Sequence, residues 1–274
     1  MWGKRRLSVM MVTKEKTEGF YRSEIQIEDL ARKSGSVSLK IRPLIDGDGY
    51  EMTFDFGKSV KLAGRWGLLG LGMFTAASGI ACVAQAQLGT TPISSTPYVL
   101  ADITGLTFGE TTFWVNVFFV FMQWVLLQKL FHWTTLWQIP SVWFFGLFID
   151  FGMQIFAPIA QWTATSGWWA QMLMSLAGNV ILALGIVMQV ESKTLVQPGE
   201  GVVLAASVRF KKSFGNMKIV NDVLLVLLAL ALGFVFLGGP VGVREGTLVS
   251  AVMVGLCVKA WYRLLNAVRK RPSA

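Results

Sequence analysis

The sequence has almost no histidine and almost no cysteine. His132 is alone, and Cys82 and Cys257 lie far apart in apolar stretches. That excludes a paired-histidine metal motif and a disulfide framework, leaves the two thiols as packing side chains, and puts the one histidine in a predicted cytoplasmic turn with no Ser/His/Asp set around it. No glycine-rich phosphate loop is present either. With no nucleophile and base seen to converge, an intramembrane enzyme is disfavoured, and no cofactor or metal is expected. Charge is scarce beyond the first quarter of the chain. Residues 1–65 hold 13 of the 25 Lys+Arg and 9 of the 16 Asp+Glu, so residues 66–274 keep only 12 and 7.

Apolar residues take the place of the missing charge. Hydrophobic residues make up 53% of the chain and the mean hydropathy is +0.54, which fits a polytopic membrane protein better than a soluble globule. A helix needs about 20 apolar residues to cross a hydrocarbon core of roughly 30 Å. Six stretches qualify: 66–86, 112–131, 137–156, 168–190, 219–237 and 247–265. The first is expected to be a retained span and not a signal peptide, because some sixty residues precede it. The net charge of +9 does not point to nucleic acid. Most basic side chains of the apolar body sit in short loops, where they orient helices. Residues 87–111 and 158–167 contain no Lys or Arg, whereas the segments around Lys58, Lys129, Lys193 to Lys218 and Arg263 to Arg271 do. This alternation predicts that both termini face the cytoplasm. Trp66, Trp133, Trp137, Trp162, Trp168, Trp169 and Trp261 fall near span ends, where an amphipathic ring suits the headgroup layer.

The body repeats at a spacing of 106 residues. Gly72, Gly79, Pro92, Phe108 and Gly109 are matched by Gly178, Gly185, Pro198, Phe214 and Gly215, and Asn116 falls opposite Asp222. A unit with three spans enters the bilayer from opposite sides in its two copies, which predicts an all-α membrane domain of two inverted three-helix repeats. The expected division is a cytoplasmic segment over 1–57, a membrane domain over 58–265 with repeats at 62–158 and 168–265, and a tail over 266–274. In the first segment, Val37, Leu39 and Ile41, then Tyr50, Met52, Phe54 and Phe56, alternate with polar residues around a Gly/Asp turn. That pattern predicts a small β-hairpin with one apolar face.

After the first span of each copy, a proline and small polar residues precede a short apolar run: Thr91, Pro92, Ser94 and Ser95 in one, Pro198 and Glu200 in the other. Capping side chains followed by proline write a helix N-terminus, and such a terminus offers partial positive charge to a solute. Either these runs dip back into the protein or they form plain surface loops. Asn116, Asp150, Asp222 and Lys259 are polar residues inside or at the edge of spans. Charge at mid-helix needs a partner or a role. Aligning the third spans with a shift of three brings Asp150 onto Lys259, so an ion pair across the symmetry axis is one expectation, and a proton-coupling carboxylate at Asp150 is the other.

The run 88–92 after the first span, Asn116, the run 136–140 leading to 146–150, the run 218–222 and Gly246-Thr247 resemble the YczE-like family of bacterial integral membrane proteins, loosely grouped with YitT-type proteins. The likeness covers about 62–265. Two departures are the charged pair Arg244-Glu245, where the family is richer in glycine, and the long head over 1–57. The resemblance implies a bacterial plasma-membrane location and leaves the mechanism open.

The expected function is secondary transport of a small solute, with efflux as one direction. The substrate site would lie between the halves: Thr91, Pro92, Ser94, Ser95, Asn116, Pro198, Glu200 and Asp222, with Asp150 and Lys259 as the coupling group or ion pair. The expected partners are the bilayer and that solute, with self-association left open. The alternative is a membrane scaffold or regulator that docks a partner through its N-terminal hairpin.

Overall fold

A computed structural model describes residues 62–269 and, ahead of them, the strands β1 (Arg6–Val9), β2 (Ser23–Glu28) and β3 (Ser38–Pro43). The strands pair antiparallel in the order β1-β2-β3. The expected hairpin is not supported. The strand written by Val37, Leu39 and Ile41 is present as β3, but its partner is β2, with Ile41 opposite Ile25. The second expected arm, 50–56, lies outside the described residues. Period-two patterning marks a strand without naming its neighbour.

From residue 62 onward every regular element is helical. The helices are α1 (Leu62–Gln85), α2 (Pro92–Thr104), α3 (Phe108–Leu127), α4 (Gln138–Ser166), α5 (Trp168–Ser192), α6 (Pro198–Phe210), α7 (Phe214–Leu232) and α8 (Glu245–Arg269). Six of them (α1, α3, α4, α5, α7 with the π turn after it, and α8) are long and apolar enough to cross a membrane. These are the six expected spans, with shifted ends. The largest shift is in α4, which runs through Pro158 to Ser166. A proline costs one backbone donor, and a membrane helix can absorb it when other groups satisfy the freed carbonyl.

The remaining two helices, α2 and α6, have 13 residues each and start at the matched prolines. Both are preceded by an extended residue, Thr91 or Gln197, and both carry proline in the first turn, where its fixed φ suits the helix and its missing N–H is no loss. The backbone repeats here in detail. Gln87 and Lys193 both have positive φ (60° and 52°), and so do Gly105 and Lys211 (72° and 55°), each pair 106 residues apart. Thr107 caps α3 by accepting from Glu110 N, and Ser213 caps α7 by accepting from Asn216 N, again 106 apart.

The centre of the body is the crossing of α1 and α5. These are the most enclosed spans, 61% and 50% buried, against 17% for α7 and 6% for α8. Small residues bring the two backbones together. A side chain at Gly79 would collide with the backbone of Leu182, and one at Gly185 with the backbone of Ala76. One at Gly72 would meet Gln189 N, and one at Gly178 would meet Val83 N. Each contact recurs with the two copies exchanged: 79 with 182 becomes 185 with 76, and 72 with 189 becomes 178 with 83. The paired numbers run in opposite directions, so α1 and α5 are antiparallel.

α4 runs parallel to α1: Met73 lies by Ser141, Ala81 by Gly152, and Gln85 donates to Met153 O. α8 begins beside the start of α5, where Trp168 Nε1 donates to Glu245 Oε1. The start of α1 and the end of α8 therefore lie toward one face, called the near face below. The short helices pack across the two halves. In α2, Thr96 Oγ1 donates to Leu225 O of α7. In α6, Gly201 is pressed against Gln123 of α3, and Gln123 Nε2 donates to Pro198 O. At their N-termini the two meet, Ile93 against Gly199.

Candidate functional site

A cavity of about 400 Å³ lies among α1, α2, α3, α5 and α6, with Phe145 of α4 closing one wall. Its walls are mostly apolar: Ile80, Ile93, Phe119, Phe145, Leu182 and Ile186. A few polar groups converge on it: Ser94, Asn116, Gln189, Gln197 and Glu200. A concave, largely apolar space with a small number of placed polar groups is the usual form of a small-molecule site. Exposed Lys193 and Val196 line its mouth, on the connection from α5 to α6 at the near face. That connection is held by its own bonds: Ser192 Oγ lies 2.8 Å from Thr194 Oγ1, and Gln197 Nε2 donates to Gln189 Oε1 at 2.6 Å.

The matching connection from α1 to α2, at the far face, is strapped down. Thr90 N donates to Gly242 O at 3.0 Å, Gly246 N to Leu88 O at 2.8 Å, and Arg244 Nη1 to Gln87 O at 3.0 Å. Gly89, at φ 95°, leaves no room for a side chain against Thr247 and Arg244. A second cavity of about 400 Å³ sits by this strap, lined by Thr90, Tyr98, Val241 and Arg244 among others. Among the described residues, none lines both cavities.

The asymmetry extends to the outer helices. α3 and α4 touch through Gly109 and Gly146, each too close to the other for a side chain. The equivalent glycines of α7 and α8, Gly215 and Gly255, have nothing within 4 Å.

Of the residues expected at the site, Ser94, Asn116 and Glu200 line the central cavity. Thr91 stands behind Ser94 and donates to its Oγ at 3.0 Å. Pro92 and Pro198 start the short helices, with Pro92 O accepting from Ser95 Oγ at 2.7 Å. Asp222 is taken up by Lys218 one turn away, at 2.8 Å. Glu200 has no hydrogen bond or ion pair to its side chain among the described residues. Burial pushes its carboxyl above the usual carboxylate range; Lys218 pulls it back and Asp222 pushes it further up. Sequence reasoning missed Gln189 and Gln197, which join the α5 end to the α6 start. Their signal was a neutral amide at the close of an apolar span, the hydrogen-bonding type that membrane interiors tolerate.

Asp150 is not brought to Lys259. It completes the cap of α3: Thr107 Oγ1 donates to Asp150 Oδ2 at 2.6 Å and Gly109 N to Oδ1 at 2.7 Å. A carboxylate there meets the positive end of the helix dipole. Lys259 is exposed on α8. The registry that aligned them belongs to matching positions of two copies, and matching positions need not touch.

Asp150→Ala is therefore expected to lower stability by roughly 1.5–3 kcal/mol, the usual loss for bonds to a charged acceptor. Chemical denaturation of the purified protein would measure it. An unchanged melt with a selective loss of activity would return Asp150 to a coupling role.

No curated protein and no solved structure matches the chain. A family model does, over residues 63–263, a stretch that holds the α1–α5 crossing, both proline-started helices, the Asp150 cap and the central cavity. The chain thus belongs to DUF6198, a family of unknown function.

Proposed function

We propose that the chain is a secondary transporter of a small solute, built of two inverted three-helix repeats and working by alternating access. The observation that carries this is the α1–α5 crossing, in which every close glycine contact recurs with the copies exchanged and the helices antiparallel. Two equivalent units so related have a pseudo-two-fold axis across the helices, and transporters of this kind bind solute where the units meet. The central cavity is at that meeting point.

The second support is the inequality of the two faces. One connection is strapped by the α7–α8 turn, while its equivalent borders an open mouth. Units of equal construction in unequal arrangements describe one of two states. In the other state the roles exchange: Gly215 closes on Gly255, α3 parts from α4, and the α3–α4 turn covers the mouth. Only such a bistable element lets a solute see one face at a time. In this reading the near face is cytoplasmic, from the distribution of Lys and Arg. The YczE-like resemblance agrees with a bacterial plasma-membrane location.

Single cysteines test it, in a chain with Cys82 and Cys257 changed to alanine. Asn116→Cys, in the cavity, is expected to react with an impermeant maleimide from the near face. Thr90→Cys, buried under the strap, is expected to react slowly from the far face, as the strap opens. Reaction of both from one face, or none at Thr90→Cys, would rule the mechanism out.

A further inference from the structure

We propose that the central cavity takes a lipophilic organic cation, bound with its charge at Glu200 and its apolar body against Ile80, Ile93, Leu182 and Ile186. This rests on the transport reading and names its substrate class.

Among the described residues, Glu200 is the only acidic side chain lining the cavity. It belongs to the first turn of α6 and is half-buried. The nearby cation Lys218 is engaged by Asp222 at 2.8 Å, and among the described residues neither a hydrogen bond nor an ion pair reaches the Glu200 carboxylate. The other charged group of the lining, Lys193, is exposed at the mouth, where water screens it. A carboxylate in apolar surroundings attracts a cation more strongly than one in water, because the local dielectric is low.

The rest of the lining narrows the class. Phe119 and Phe145 present aromatic rings to the cavity, and ring faces attract cations. A hydrated metal ion would require several oxygen ligands that the apolar walls do not supply. No group of three or more His, Cys, Asp or Glu fit to hold a metal occurs among the described residues. An anion would face the Glu200 charge. The volume of about 400 Å³ suits a body of a few rings.

Equilibrium binding to the purified full-length chain in detergent tests this, with tetraphenylphosphonium as the cation and tetraphenylborate as an anion of the same shape. Tetraphenylphosphonium is expected to bind saturably and tetraphenylborate is not, a comparison that needs no variant. Glu200→Gln is expected to weaken phosphonium binding by about tenfold or more, at an unchanged melting temperature. Binding by the native chain should also fade as pH drops and Glu200 takes up a proton. The other charged groups nearby are Lys193, Lys218 and Asp222. Equal binding of the two probes, or undiminished binding by a folded Glu200→Gln, overturns the assignment. If phosphonium fails to bind while Asn116→Cys and Thr90→Cys still react from opposite faces, only the cation falls and transport stands.

Discussion

Gly79→Leu is expected to leave little folded protein. The Cβ alone would strike Leu182 N and Cα, which are backbone atoms and cannot rotate away. Helices α1 and α5 would have to separate, and with them the cluster of Leu69, Met73, Ala76, Ala77, Ile80 and Leu182 that they share. Overpacking a dense interior costs about 1–3 kcal/mol, occasionally more, and a backbone collision at a central crossing belongs at the upper end. Gly185→Leu should do equal damage, because its Cβ meets Ala76 in the equivalent way. Gly70→Leu, on the same helix, has nothing within 4 Å and is the control. Yield and monodispersity after detergent extraction would report all three. A monodisperse Gly79→Leu with a native melt would show that α1 and α5 do not cross as described.

Gly255→Leu should have the opposite profile: normal folding and a frozen cycle. In the present arrangement Gly255 is exposed and a Cβ there would have nothing within 4 Å. In the alternate state Gly255 would take the position that Gly146 holds now, against Gly215. In the proposed cycle a leucine there costs that state roughly 1–3 kcal/mol, lowering its population about five- to 150-fold. The readout is far-face labelling of Thr90→Cys, which should slow by that factor while Asn116→Cys labels as before. The same labelling rate with and without Gly255→Leu would mean that α7 and α8 never close. Gly146→Leu makes the counterpart. It collides with Gly109 O in the state described here, so it should destabilise that state and favour the other.

The six spans were legible because a bilayer imposes a length and an apolar composition that soluble packing does not, and 20-residue runs reveal both. The start of each short helix was legible too, since proline in the first turn is a local signal at Pro92 and Pro198, although neither Thr91 nor Gln197 caps its helix through the side chain. Local signals failed where a partner had to be named. Alternation at Val37, Leu39 and Ile41 announced β3 without naming β2 as its neighbour. Asp150 was recognised as unusual, and its role as the cap of α3 came only when Thr107 and Gly109 were found beside it, some forty residues away in sequence. Ser94, Asn116 and Glu200 line one cavity, whereas Asp222, at the repeat position of Asn116, is engaged by Lys218 one helical turn away.

By itself, then, the sequence determined how many times the chain can cross a membrane, where the short helices begin, and that residues 106 apart match in type. These follow from solvent and backbone chemistry, which act within a few turns of helix. Tertiary structure alone decided which helices touch, that α1 and α5 cross at four glycines, and that one connection is strapped while its equivalent borders a cavity. Local patterning carries no record of that difference, because it lies in contacts between helices distant in sequence and not within any one of them.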